Sequence, residues 1–125
     1  LRVNALGPHA LAQAFADHVA ASEGKVIVVI SSVMGSLTRA NGGSTVYRSS
    51  KAALNMVARN LAAEFSSRDI VVTAFHPGWV RTDMGGPSAT LTPVESVTAL
   101  RGVIAKLSAA DSGRYLNYDG SPIPW

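Results

Sequence analysis

Cysteine is absent from these 125 residues, so neither a disulfide framework nor a cysteine-ligated metal centre is open to the chain. Its three histidines, His9, His18 and His76, stand too far apart for a local ligand pair, and no metal is expected. Charge is sparse: Asp, Glu, Lys and Arg make up 15% of the residues, and the basic ones are scattered singly. The net charge of +3 therefore builds no phosphate-tracking stripe, which excludes nucleic acid as a partner. Long hydrophobic runs are also missing. The longest, Val26–Ile30, falls far short of the roughly 20 residues that span a bilayer, and no basic-then-apolar signal opens the chain. A cytoplasmic protein with no membrane association is the expectation. There is no initiator methionine either; Leu1-Arg2-Val3-Asn4 reads like the interior of a domain, and an upstream segment is expected. Finally, Gly-x-Gly occurs nowhere, so the chain has no glycine-rich turn of the kind that cradles a pyrophosphate at a helix N-terminus.

What is present is apolar residues, 47% of the chain, a rich share for a small domain that leads us to expect part of the surface to meet another chain in a homo-oligomer. Positions 8–22 carry Leu11, Phe15 and Val19 four apart, which predicts an amphipathic helix. Val26–Ile30 is an unalternating β-branched run, the pattern of a strand covered on both faces in a parallel sheet. A second helix is predicted over about 45–66, with Leu54, Val57, Leu61 and Phe65 on one stripe. Residues 70–75 repeat the buried-strand pattern, and Pro77-Gly78 ends it. Thr92-Pro93-Val94-Glu95 opens a third helix with a capping box and proline at the first helical position. A short strand around 115–118 closes the series. The order α-β-α-β-α-β implies an α/β fold, part of a Rossmann-like doubly wound arrangement with three parallel strands flanked by helices. Active residues then belong beyond the C-terminal ends of the strands, where Ser31, Ser32 and His76–Thr82 lie.

Tyr47 and Lys51 stand four apart at the start of a predicted helix and so project from one face. A free phenol titrates near pH 10, and an ammonium nearby stabilises the phenolate, turning tyrosine into a usable acid-base. Taken alone, such a pair also fits a helix surface. Ser32, at the end of a buried strand upstream of Tyr47, could hydrogen-bond a carbonyl oxygen, although an isolated serine there more often caps the strand end. His76 reads as a packing residue at a strand end, and His9 and His18 as surface residues. Trp79 and Met84 fit substrate contact and plain packing equally. Trp125 fits an anchor for the tail or a subunit contact.

Four motifs occur in an order and spacing that resembles the short-chain dehydrogenase/reductase family: Asn4-Ala5-Leu6-Gly7, Ile30-Ser31-Ser32, Tyr47-Arg48-Ser49-Ser50-Lys51 and Pro77-Gly78-Trp79-Val80-Arg81-Thr82. The resemblance runs over essentially all of 1–125, as the C-terminal catalytic portion of one such Rossmann domain. The stretches HPGWVRTDMGGP and DGSPIPW look most like the carbonyl-reductase branch that includes C-factor and sniffer proteins. The resemblance implies an NAD(P)(H)-dependent oxidoreductase that interconverts a small-molecule carbonyl and its alcohol, with NADP(H) favoured. It implies Tyr47 as general acid-base, Lys51 activating it and holding the nicotinamide ribose, Ser32 orienting the carbonyl, and Asn4 supporting a proton-relay water. Pro77, Gly78 and Val80 would border the nicotinamide, and Thr82 would bond its carboxamide or a phosphate. It also implies dimers or tetramers built on the first two helices.

Two departures matter. The interval from Ser32 to Tyr47 is about two residues longer than the commonest family spacing, a difference that a loop at Asn41-Gly42-Gly43 can absorb. The family's glycine-rich dinucleotide turn would fall upstream of Leu1, so these residues by themselves are expected to bind cofactor weakly or not at all. The alternative is a non-catalytic fragment that keeps the fold and serves as an interaction or oligomerisation module. A serine hydrolase is remote, since Gly-x-Ser-x-Gly is absent.

Overall fold

A computed structural model describes residues 1–125. Three helices alternate with three strands: α1 (Gly7–Ala21), β1 (Val26–Ile30), α2 (Thr45–Glu64), β2 (Val71–His76), α3 (Pro93–Ile104) and β3 (Tyr115–Asn117). The strands form a single parallel sheet in the order β1-β2-β3, with Val26 opposite Val71 and Ala74 opposite Tyr115. This is the partial Rossmann-like α/β arrangement expected from the alternation of elements. One feature was not foreseen: Arg2–Leu6 forms a π-helical turn that runs straight into α1.

The central strand explains its own sequence. Val72 and Ala74 join Leu54, Leu61 and Phe65 of the α2 segment in the larger core cluster, while Phe75 packs with Leu100 of α3 and Leu116 of β3. With a helical layer on each face, β2 has no solvent side on which a polar alternation could develop. α2 lays down the stripe expected of it, with Leu54, Leu61 and Phe65 buried.

One expectation is corrected. β1 is not covered on both faces: only Val29 is buried and Ile30 is 47% exposed. Its composition is that of an interior strand, but here it is paired on one side only, at the sheet edge. In α1 the large apolar stripe does not face the core; Leu11 and Phe15 are exposed, and Ala12 and Ala16 are the buried residues. Alanine lets the helix axis approach its neighbours closely, and the bulkier stripe is left pointing outward.

α3 begins with the capping box read from the sequence. The Glu95 N–H donates to Thr92 Oγ1 at 3.2 Å, and the Thr92 N–H donates to the Glu95 carboxylate at 2.7 Å. That backbone donor holds the Glu95 carboxyl below its ordinary value. Thr92→Ala should lower stability by about 1 kcal/mol, read as a shift in the urea midpoint; an unmoved midpoint would show that the cap contributes nothing.

Candidate active site

The site begins where β1 runs out. Ser31 continues the sheet ladder through its N–H to Phe75 O at 2.7 Å, and Ser32 then caps a 3-10 turn over Val33–Gly35. The Ser32 Oγ accepts from the Met34 N–H at 3.2 Å, which uses a lone pair and leaves the hydroxyl proton free to donate elsewhere. Beneath it, the Ser31 hydroxyl donates to Asn55 Oδ1 at 2.5 Å, and Asn55 Nδ2 donates to Gly35 O at 3.2 Å. Asn55 is 3% exposed and braces the turn from α2. Sequence reasoning passed over it; its only signal was a polar residue one helical turn beyond Lys51, beside the buried Leu54.

The first turns of α2 bring Tyr47 to the wall of a cleft of about 940 Å³ that Ser32 also lines. Lys51 sits one turn deeper. Its ammonium lies 5.9 Å from the centroid of the Tyr47 ring and donates to Ile30 O at 3.1 Å, and partial burial lowers its pKa. Asn4 is placed differently: its Nδ2 donates to the Ser50 hydroxyl at 3.1 Å, which in turn donates to Tyr47 O at 2.7 Å. Asn4 is therefore tied to the start of α2 through the Ser50 hydroxyl and does not line the cleft, and neither does Lys51.

The opposite wall follows β2. Pro77, Gly78, Val80 and Thr82 all line the cleft. Gly78 has φ +84°, a left-handed backbone that favours glycine, and a Cβ there would have to displace the end of Leu91, 2.4 Å away at Cδ1. The buried Ser96 hydroxyl of α3 donates to Pro77 O at 2.6 Å. The loop after Gly78 is closed at its base by Leu91 N–H to Trp79 O at 3.0 Å and Arg81 N–H to Leu91 O at 2.8 Å. Thr82 Oγ1 accepts from the Gly85 N–H at 3.1 Å, and the Trp79 indole donates to Gly85 O at 2.8 Å. Trp79 and Met84 stand exposed at the rim.

His76, read from the sequence as a packing residue, also lines the cleft. It is half-buried, with Nδ1 enclosed and without a partner. Burial, and then the Arg39 charge, push its imidazole below the ordinary value of 6.5. Because the folded pKa is the lower one, stability is whole above pH 6.5 and is lost as pH falls toward the folded value. The depressed carboxyls of Glu95, Asp111 and Asp119 act only in the carboxylate range below that window. His76→Gln should therefore flatten the pH dependence of the thermal midpoint just below 6.5, whereas an unaltered slope would assign it to other groups.

A hydroxyl at a strand end, a tyrosine and lysine one helical turn apart, and a proline-glycine wall thus gather at one end of the sheet. The chain belongs to the short-chain dehydrogenases, whose family model matches residues 1–91. It is similar to the C-signal of Myxococcus xanthus, with 40% identity over 124 residues covering 98% of this chain and 75% of that protein. It also resembles the 1-hydroxy-2-glutathionyl-2-methyl-3-butene dehydrogenase of a Rhodococcus species, with 33% identity over all of this chain and 57% of that protein. Among solved structures, the carbonyl reductase Sniffer of D. melanogaster superposes with a TM-score of 0.91 at 34% identity. The NADPH-bound carbonyl reductase from chicken fatty liver superposes with a TM-score of 0.89 at 37% identity. In both cases the match covers 98% of this chain and 54% of the other, so the chain spans about half the length of these structures. No helix is long and apolar enough to cross a membrane.

Proposed function

We propose that these residues form the catalytic portion of an NADP(H)-dependent reductase that interconverts a small-molecule carbonyl and its alcohol. The observation that carries this reading is the shared cleft: Ser32 and Tyr47 line one cavity, with the Lys51 ammonium 5.9 Å from the Tyr47 ring. The free Ser32 proton would grip the carbonyl oxygen, and the Tyr47 hydroxyl would deliver a proton to that oxygen in reduction or remove it in oxidation. The positive charge of Lys51 favours negative charge on the phenol as the proton leaves. Asn4, bonded to Ser50, would hold the start of α2 in place.

The wall of Pro77, Gly78, Val80 and Thr82 suits a nicotinamide, because Gly78 carries no side chain and leaves main-chain groups to border the cleft. These residues and Lys51 would hold the nicotinamide ribose end, and the bound cofactor supplies the hydride. The NADPH in the chicken liver reductase supports this choice of cofactor.

The test is carbonyl-dependent oxidation of NADPH by the protein that carries this chain, across a panel of aldehydes and ketones. No consumption with any of them would overturn the proposal. The unpaired edge of β1, with Ile30 exposed, favours a second reading in which these residues serve for association alone. Carbonyl turnover by the protein that carries this chain defeats the second reading, as does tight NADPH binding by the 125-residue chain in a calorimetric titration; weak binding there is expected of both. Exposed Leu6, Leu11 and Phe15 near and along α1 support a homo-oligomer, expected as a dimer or tetramer by light scattering and contradicted by a clean monomer.

A further inference from the structure

Ser32 is held from a part of the chain that the catalytic reading leaves unused. Tyr115 of β3 is 2% exposed, and its hydroxyl donates to the Ser32 carbonyl, 83 residues away in sequence. The Tyr115 ring stacks on the indole of Trp125, with centroids 5.2 Å apart and planes 28° from parallel. The Arg59 guanidinium of α2 lies 5.7 Å from the same indole and donates to Gly113 O at 2.8 Å. The tail backbone closes the arrangement. The Ile123 N–H donates to Tyr115 O at 2.8 Å, the buried Ser36 hydroxyl donates to Pro124 O at 2.6 Å, and Trp125 O accepts from both the N–H and the hydroxyl of Thr38. The tail thus grips Tyr115 on one side and, on the other, the segment that follows the Ser32 turn.

We propose that Tyr115 and the tail Ile123–Trp125 form a positioning device that sets where the Ser32 hydroxyl points. The proposal rests on Ser32 as the carbonyl-orienting group. Three anchors bracket the turn: Asn55 holds Ser31 and Gly35, Tyr115 holds the Ser32 carbonyl, and the tail, itself packed on Tyr115, holds Ser36 and Thr38. A buried phenol needs a partner; here the hydroxyl donates to the Ser32 carbonyl and also lies within reach of the Asn55 and Ser31 side chains. Burial pushes the Tyr115 phenol above its ordinary value, so it stays a protonated donor through the neutral range. Phenylalanine would keep the stack on Trp125 and lose only the donor, leaving the Ser32 carbonyl with the Gly35 N–H at 2.7 Å as its remaining partner and letting the residue tilt about that one bond. Misplacing a substrate-orienting group by even an ångström is enough to cost about a hundredfold in rate.

The experiment compares Tyr115→Phe, Ser32→Ala and the double variant in the protein that carries this chain. It also follows amide exchange in the 125-residue chain at Met34, whose N–H bonds the Ser32 hydroxyl. Tyr115→Phe should lower kcat roughly ten- to a hundredfold with little change in KM for NADPH, and should do nothing further once Ser32 is alanine. Met34 exchange should quicken while the Leu61 amide, in the middle of α2, stays protected. Trp125→Ala should move kcat and Met34 in the same direction. Equal losses from Tyr115→Phe with and without the Ser32 hydroxyl would mean a merely structural role and would overturn the proposal, as would unchanged Met34 exchange. If Ser32→Ala retains full turnover, the reading of Ser32 fails with it, whereas full turnover in Tyr115→Phe beside a dead Ser32→Ala sinks the positioning role alone.

Discussion

Tyr47→Phe is expected to reduce carbonyl turnover about a thousandfold, the usual scale for losing a general acid-base, while the chain remains folded. The substitution removes one oxygen and keeps the ring, which is half-buried where α2 meets the cleft. The packing of α2 rests on Leu54, Leu61 and Phe65, none of which the change touches, so stability should move by less than about 0.5 kcal/mol. Chemistry and folding are thereby separated in one variant: NADPH-coupled reduction collapses and the urea midpoint does not shift. Ser32→Ala should cost less, because a hydroxyl that orients the carbonyl leaves the proton donor in place. Turnover undiminished by Tyr47→Phe would remove the acid-base role outright and leave the cleft without a group to protonate the alkoxide.

The parts of this molecule that were legible in the sequence are those whose cause is local. The capping box needs only residues 92–95, and the Tyr47–Lys51 pair needs only one turn of helix, so spacing revealed both. β2 was legible because a central strand meets the same apolar surroundings on each face. β1 carries the same composition at an edge, and composition cannot count a strand's neighbours. On α1 the spacing revealed the helix but not which face the sheet takes: the close approach of the helix buries Ala12 and Ala16 and leaves Leu11 and Phe15 outward. The polar bracing under Ser32 was invisible because its partners, Asn55 and Tyr115, lie 24 and 83 residues from the serines they hold. His76 was underestimated because a histidine before Pro77-Gly78 looks the same in sequence whether its ring packs inward or borders a cavity.

Gly35→Ala is expected to lower stability by about 1–3 kcal/mol through overpacking and to depress turnover with it, although nothing in the local backbone demands glycine there. Gly35 has no positive φ, so alanine meets no conformational strain of its own. The obstacle is α2: a Cβ on Gly35 would lie 2.9 Å from both the carbonyl carbon and the Cβ of Lys51, and 3.0 Å from Asn55 Nδ2. The two Lys51 atoms, a main-chain carbon and the Cβ fixed to it, cannot rotate away as the end of a flexible side chain would. Either α2 retreats, carrying Tyr47 and Lys51, or the Val33–Gly35 turn lifts, carrying Ser32 and breaking the Asn55 bond to Gly35 O. Each route widens the gap between the hydroxyl that grips the carbonyl and the phenol that protonates it, so kcat should fall even where the fold survives. Gly24→Ala is the matched control, since that glycine also lacks a positive φ and has open space around its missing Cβ. It should leave both midpoint and kcat within error of the parent. Matching behaviour of the two alanine variants would show that contact between turn and helix is not what sets the spacing of the site.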